Sequence, residues 1–126
     1  MLKLLKGDCL DLMRDLPDAS VDMVLCDLPY GTTACAWDAV IPFEPLWSHY
    51  RRVVKTDGAI VLTASQPFTT SLAASNLGDF RYQWVWQKER PSNPQLAKLQ
   101  PLKVHEDILV FSRGRTSYNP QGLIEI

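Results

Sequence analysis

Apolar residues along the chain occur either in short continuous runs or at helical spacings of three and four residues. Residues 2–6 form one such run, and residues 9–16 place leucine and methionine at helical spacing before a proline. Residues 20–26 are rich in Val, Met and Leu and precede Pro29 and Gly31, which predicts a strand buried on both faces. The first part of the chain is therefore predicted as strand, helix and strand.

The alternation of strands and helices continues along the chain. Phe43, Leu46, Trp47, Tyr50 and Val54 follow one another at spacings of three and four, which is typical of an amphipathic helix. The pattern predicts helices over residues 42–55 and 67–75 and strands over residues 59–64, 81–87 and 107–112. Strands separated by helices favour an α/β fold, with a parallel or mixed sheet and helices on both faces.

Residues 89–104 break this alternation. They contain three prolines and no clear period, which predicts an extended loop of a length that is more often functional than connective. Across residues 81–115, seven Lys and Arg residues exceed three Asp and Glu residues by four, although the whole chain has a net charge of −1. The excess of positive charge predicts that this stretch binds a polyanion. The alternative is an ordinary solvated surface with scattered basic residues.

Composition limits the class of protein. A chain of 126 residues with 46% hydrophobic and 21% charged residues fits one soluble domain, without disorder or a membrane span. Charge and glycine within the first eight residues argue against a signal peptide, so a cytoplasmic location is expected. Three cysteines without a CxxC pair and two histidines predict neither disulfides nor a metal site. Core packing is the expected role of the four tryptophans, Trp37, Trp47, Trp84 and Trp86.

The residues that carry chemistry are Asp27, Leu28, Pro29, Tyr30 and Gly31, which lie where the second predicted strand runs into a loop. In open α/β sheets, ligands bind at the carboxyl ends of strands. Because Asp, Pro, Tyr and Gly are also common turn residues, the segment alone is consistent with a plain strand-ending turn.

The surroundings of this segment resemble the DNA amino-methyltransferases, which transfer a methyl group from S-adenosylmethionine to adenine N6 or cytosine N4. The stretch from Gly7 through Gly31 is similar to the part of that family that ends in its Asp-Pro-Pro-Tyr signature. Further similarity, typical of phage and prophage members, covers the helix from Pro42 and residues 37–38, 58–62, 65–68, 84–88 and 105–111. The resemblance implies a Rossmann-like methyltransferase sheet and double-stranded DNA as the substrate.

The resemblance also implies roles for the motif. The Asp27 carboxylate and the Leu28 main-chain carbonyl accept the two amine protons of the target base, Pro29 makes the turn rigid, and Tyr30 stacks on the flipped-out base. Asp at the first position accompanies adenine methylation more often in this family, so adenine N6 is the expected target and cytosine N4 the alternative. Leu28 replaces the family's first proline, so weaker preorganisation of the backbone is expected.

A cofactor contact follows from the same resemblance. Asp8 is expected to bind the adenine amine of S-adenosylmethionine, with the backbone of Cys9 nearby and Asp27 also in contact with the cofactor. The alternative is that Asp8 only caps the helix that follows it.

Methyltransferases of this type hold the methionine part of the cofactor with a glycine-rich loop, but the six glycines of this chain form no Gly-x-Gly. Residues 1–126 are therefore expected to form a single partial domain, the catalytic half, whose loop 89–104 contacts DNA. Two function classes stay open: an enzyme completed by a second polypeptide, and a non-catalytic remnant or nucleic-acid-binding module. In both, the strand 20–26 is expected to have an unpaired edge, which favours self-association or a complementary chain.

Overall fold

The computed structural model describes residues 1–125, which form three α-helices and four β-strands. The helices are α1 (Cys9–Met13), α2 (Phe43–Val53) and α3 (Phe68–Ser75), and the strands are β1 (Val21–Asp27), β2 (Val54–Ala64), β3 (Phe80–Gln87) and β4 (His105–Phe111). The pattern predicted all seven, with boundaries that differ by a few residues. Among residues 1–125, none of the helices combines the length and hydrophobicity that crossing a bilayer requires.

The four strands form one mixed sheet in the order β1-β2-β4-β3. β1 and β2 run parallel, and β4 is antiparallel to both of its neighbours, β2 and β3. The parallel register pairs Asp27 with Thr63, so the carboxyl ends of β1 and β2 meet at the same edge of the sheet. The predicted mixed α/β sheet is confirmed, and β1 is an outer strand of it, as expected.

The three helices pack into one core on one face of the sheet. Trp47 of α2 and Leu72 of α3 are buried there against Leu62 and Phe111 from the two central strands. The Trp47 ring lies 4.7 Å from the Phe111 ring, and its Nε1 donates a hydrogen bond of 2.8 Å to Ser75 at the end of α3. Both crossover helices therefore belong to the same apolar cluster.

The pattern predicted helices on both faces, whereas the crossovers through α2 and α3 place both helices on one. From β1 to β2 and from β2 to β3 the chain moves in the same direction across the sheet, and right-handed crossovers in one direction put their helices on one side. The opposite face has no helix within residues 1–125. β1, predicted to be buried on both faces, therefore exposes Met23 (51%) and Leu25 (71%) there.

The burial predicted for the tryptophans is wrong for three of the four. Trp47 is 3% exposed, but Trp37 is 75% exposed and both Trp84 and Trp86 are 51% exposed. Trp84 and Trp86 pair with Ile108 and Glu106 of β4, whose side chains alternate with the core residues and so lie on the helix-free face. Their exposure follows from the absence of a covering layer in the described part of the chain.

The strand predicted over residues 2–6 is also wrong. These residues have no regular structure, and Leu2 and Leu4 are more than four-fifths exposed. A strand forms only when a neighbouring chain completes its hydrogen bonds, and no strand of residues 1–125 lies beside this segment.

Candidate active site

Three side chains meet at the carboxyl ends of β1 and β2. Asp27 is the last residue of β1, Thr63 lies beside it in the parallel register, and Tyr30 returns to them from the loop after β1. Thr63 Oγ1 lies 2.5 Å from Asp27 Oδ1. Tyr30 Oη lies 3.0 Å from the same carboxylate oxygen and 2.9 Å from Thr63 Oγ1. The three oxygens form a triangle in which every pair lies within hydrogen-bonding distance.

Tyr30 is held at its hydroxyl and on one face of its ring. The ring stacks on Phe68 at the start of α3, with ring centroids 5.3 Å apart and planes 20° apart. Burial raises the pKa of the Tyr30 phenol above its usual value; the bond with Thr63 opposes this, and the neighbouring Asp27 adds to it. Tyr30 therefore keeps its proton at neutral pH and acts as a hydrogen-bond donor.

Leu28 turns away from this triangle into the core, where it is 4% exposed. Side-chain packing therefore restrains the backbone at the position where the resembling family has proline. Within residues 1–125 the Leu28 carbonyl oxygen accepts no backbone hydrogen bond. A bound N–H group would find this oxygen unpaired.

Asp38 organises the loop that follows Tyr30. Its Oδ1 accepts a bond of 3.0 Å from the Gly31 amide, and its Oδ2 accepts bonds of 3.0 and 2.8 Å from the Thr32 and Thr33 amides. The Thr33 hydroxyl adds a fourth bond to Oδ2 at 2.7 Å. Gly31 has a φ angle of +71°, a conformation that glycine adopts without strain, so the chain turns sharply enough to wrap around this carboxylate.

A cavity of about 580 Å³ lies between Tyr30 and the proline-rich loop. Ser65 and Gln66, which follow β2, form its floor beside Tyr30, and the loop contributes Asn93 and Lys103 among others. The Lys103 ammonium bonds to the Ser65 hydroxyl across this cavity. The loop is thus placed over Tyr30 and faces the cavity with polar side chains, such as Asn93, and apolar ones, such as Leu96 and Leu102.

Two further cavities share a wall made of Pro29 and Trp37. One, of about 270 Å³, lies beside Asp27. The other, of about 460 Å³, lies beside Asp8 and Cys9 at the start of α1. Burial, followed by the charge of Asp8, raises the pKa of the Cys9 thiol, so this cysteine is the protonated thiol at neutral pH.

No protein-family model matches the chain. Among solved structures, the M1.HpyAVI–SAM complex superposes with a TM-score of 0.71 at 16% identity, over 100% of this chain and 62% of that one. A putative DNA modification methylase from Thermus thermophilus gives a TM-score of 0.65 at 21% identity, over 92% and 54% of the two chains. The cytosine-N4-specific PvuII DNA methyltransferase gives 0.66 at 12%, over 87% and 48%. The chain has the Rossmann-like methyltransferase fold of these proteins.

This likeness confirms the fold that the sequence predicted. The chain spans between 48% and 62% of the length of these three methyltransferases. Each of these methyltransferases therefore has further chain that this superposition does not cover.

The predicted site residues fall into two groups in this methyltransferase fold. Asp27 and Tyr30 are hydrogen-bonded to each other, whereas Asp8 and Cys9 lie together beside the 460 Å³ cavity. Pro29 borders the cavities of both groups. Asp27 lines the cavity next to that of Asp8 rather than the same one.

Asp8 does what the alternative interpretation predicted. Its Oδ1 accepts a bond of 2.8 Å from the Leu10 amide, so it caps α1. A carboxylate has two oxygens, so this cap leaves the second oxygen of Asp8 for a ligand in the adjoining cavity. The two roles proposed for Asp8 are compatible.

Several basic side chains of residues 81–115 serve the methyltransferase fold itself. Arg81 bonds to main-chain carbonyls, among them those of Arg113 and Gly114, and Lys88 pairs with Glu106. Arg90 and Lys98 of the proline-rich loop are exposed. Arg115 after β4 is exposed as well, so the positive charge available to a polyanion lies on that loop and at Arg115.

Lowering the pH is expected to release the loop that Asp38 holds. The Thr33 hydroxyl and the Gly31 amide lower the pKa of Asp38 to about 2, below its usual value of about 4. Because the folded-state pKa is depressed, this stabilisation is present above pH 4 and is lost as the pH falls through 2. Amide hydrogen exchange at Thr32 and Thr33, corrected for its intrinsic pH dependence, measures the release.

At pH 7, Asp38→Asn is expected to speed exchange at these two amides by about tenfold or more, because the acceptor Oδ2 becomes a donor. Asp57→Asn is the matched control, since Asp57 accepts the Arg115 amide in a different loop. Unchanged exchange at Thr32 and Thr33 in Asp38→Asn would contradict the anchoring role.

Proposed function

We propose that the chain is the catalytic half of an S-adenosylmethionine-dependent DNA methyltransferase that methylates adenine N6 in double-stranded DNA. The observation that supports this is the triangle of Asp27, Thr63 and Tyr30 at the carboxyl end of β1, beside a cavity that the proline-rich loop encloses. Ligands of open α/β sheets bind at this end of the strands.

The chemistry explains why these groups are needed. The exocyclic amine of adenine is a poor nucleophile because its lone pair is delocalised into the ring. Two acceptors that bind the amine protons, the Asp27 carboxylate and the Leu28 carbonyl, would turn the lone pair out of the ring and stabilise the positive charge that develops. Within residues 1–125, neither Asp27 Oδ2 nor the Leu28 carbonyl oxygen accepts a hydrogen bond.

Tyr30 would hold the base in place. One face of its ring is covered by Phe68 and its hydroxyl is fixed, so the ring is a rigid platform. A flipped-out base costs a few kcal/mol to unstack, and stacking on an aromatic ring returns roughly 1–3 kcal/mol. Tyr30 lines both the 580 Å³ cavity, which has room for a purine, and the 270 Å³ cavity that Asp27 and Leu28 line, so a base on Tyr30 would have its amine beside the two acceptors.

The 460 Å³ cavity suits the adenosine end of the cofactor. Trp37, Pro29 and Ile41 supply flat and apolar walls, and Asp8 supplies a carboxylate for the exocyclic amine. S-adenosylmethionine supplies an electrophilic methyl group on a sulfonium. Pro29 and Trp37 line both this cavity and the cavity beside Asp27. The cofactor and the base would therefore lie on neighbouring sides of one turn.

DNA is the proposed partner of the loop 89–104. Arg90 and Lys98 are exposed on this loop, which forms the outer wall of the cavity next to Tyr30. Basic side chains in that position can contact phosphates on either side of an extruded nucleotide.

Nucleoside analysis of DNA from a methylation-free bacterial host tests the function. The chain is expressed from its full reading frame together with the polypeptide encoded immediately downstream, and the host DNA is digested and analysed by mass spectrometry. N6-methyladenine is the expected product. N4-methylcytosine would support the alternative target, which is that of the PvuII enzyme. If neither methylated nucleoside is found, the result favours a non-catalytic, nucleic-acid-binding role.

Tyr30→Ala is expected to weaken binding of DNA that carries an extrahelical adenine by roughly 10- to 100-fold, because the stacking platform is lost. The motif alone predicts that Tyr30→Phe is tolerated, but the hydroxyl bonds to Asp27 and Thr63, so a smaller loss is expected for this variant. Titrations with 2-aminopurine DNA measure both variants. Tyr118→Ala, at a ring that contacts Tyr82 elsewhere, is the control. Equal binding by the Phe and Ala variants would contradict the stacking role.

A further inference from the structure

We propose that Thr63 is a positioning residue, which holds one oxygen of the Asp27 carboxylate so that the other is presented to the amine of the target base. The inference rests on the proposed function, because it concerns the same site. Thr63 belongs to β2 and lies outside the motif that carries Asp27 and Tyr30.

A count of protons shows which of the three groups donate hydrogen bonds and which accept them. The two hydroxyls contribute one proton each, and the carboxylate contributes none. The shortest of the three contacts, 2.5 Å, joins Thr63 Oγ1 to Asp27 Oδ1, so Thr63 donates to the carboxylate. The Tyr30 proton then goes to Thr63 Oγ1 or to Asp27 Oδ1. In either arrangement Oδ1 is the oxygen that the protein engages.

The second oxygen, Asp27 Oδ2, accepts no hydrogen bond from residues 1–125. Oδ2 is therefore the acceptor left for a ligand, and its direction follows from the rotation of the carboxylate about its last torsion. That torsion is soft in aspartate, so Oδ2 has a defined direction only while Oδ1 is held.

Thr63 is well suited to this task because its own position is fixed. It stands on a central strand, between Leu62 and Ala64, which are both fully buried. Its branched Cβ restricts the first side-chain torsion, so the hydroxyl has few alternative directions. The parallel register of β1 and β2 brings it opposite Asp27. The sheet thereby fixes the Thr63 hydroxyl, and this hydroxyl restrains the orientation of the Asp27 carboxylate.

Thr63→Val tests the inference, because valine keeps the branched shape and strand preference and replaces the hydroxyl with a methyl group that cannot hydrogen-bond. Thr63→Ser restores the hydroxyl, and Thr56→Val makes the same replacement at an exposed position of the same strand. Methyl transfer is measured in the co-expression system described above. We expect a turnover about 10- to 100-fold lower for Thr63→Val with little change in the KM for DNA, at least partial recovery in Thr63→Ser, and no change in Thr56→Val.

A second measurement uses the chain alone and needs no activity. In samples labelled with ¹³Cζ-tyrosine, the Tyr30 signal reports the hydrogen bonds of its hydroxyl. We expect Thr63→Val to shift this signal and Thr63→Ser to return it toward the wild-type position. The signal is assigned to Tyr30 because it is absent from the spectrum of the Tyr30→Phe variant.

The outcomes separate this inference from the proposed function. If the wild-type system methylates DNA and Thr63→Val is equally fast, or if Thr63→Ser is as slow as Thr63→Val, the positioning role is overturned and the function stands. If the wild-type system methylates nothing, the proposed function fails and the inference, which rests on it, fails with it. In an active system, an unchanged Tyr30 signal in Thr63→Val also overturns the positioning role, and a shift that serine reverses supports it.

Discussion

Asp27→Ala is expected to abolish methyl transfer while leaving the chain folded, and Asp27→Asn to slow it by about 10³-fold. Asparagine preserves the shape and can still accept the Thr63 hydroxyl at Oδ1. Its NH₂ group, however, takes the place of Oδ2 and turns a donor toward the amine protons of the base. Incorporation of labelled methyl groups into DNA measures the loss, and circular dichroism checks the fold.

The matched control for this prediction is Asp22→Asn. Asp22 lies on the same strand, carries the same charge and pairs with Lys55 at the surface, where an ion pair contributes little to stability. It should retain full activity. Methylation that persists in Asp27→Ala would remove Asp27 from the catalytic role.

The regular structure was predictable wherever its signal is local. The helical spacing of Leu46, Trp47 and Tyr50 marks α2, and the apolar run before Asp27 marks β1. Residues 2–6 carry a similar apolar run but form no strand, because a strand depends on a neighbour that its own sequence does not contain. Local pattern thus predicts the tendency to form a strand, and pairing decides whether the strand forms.

Burial of the second sheet face was not predictable for a related reason. Trp84 and Trp86 alternate along β3 as core residues would, yet both are half exposed. Which face is covered depends on the direction of the crossovers through α2 and α3, and the hydrophobic pattern of β3 does not record it.

The candidate site was predictable only in part. Asp27 and Tyr30 are close in sequence and carry a recognisable motif, whereas Thr63 is 36 residues from Asp27 and reaches it through the register of β1 and β2. The available signal was a hydroxyl between Leu62 and Ala64 at the end of an apolar strand. For Asp38 the signal was stronger, since an acidic residue shortly after a Gly-Thr-Thr turn is well placed to accept its amides.

We expect a second polypeptide to complete the site at the open edge of β1. Within residues 1–125, β1 is an outer strand with unpaired backbone groups, and Met23 and Leu25 beside that edge are exposed. Such an edge is a template for another strand, and its apolar neighbours gain from being covered. The M1.HpyAVI chain includes further residues that the superposition with this chain does not cover. A polypeptide that pairs with β1 would lie next to both Asp27 and the cavity of Asp8.

The chain alone is therefore expected to bind S-adenosylmethionine only in the millimolar range, about −4 kcal/mol, and at least about 10²-fold more tightly once a polypeptide pairs with β1. Asp8, Pro29 and Trp37 can contact the adenosine end, but no Gly-x-Gly segment in the chain lets backbone close around the methionine end. Calorimetric titration measures the affinity, with sedimentation to establish the oligomeric state. Asp8→Asn is the informative variant, because asparagine caps α1 as well as aspartate does and removes only the charge. A well-folded monomer that binds the cofactor at low micromolar concentration would show that the half-site interpretation is wrong.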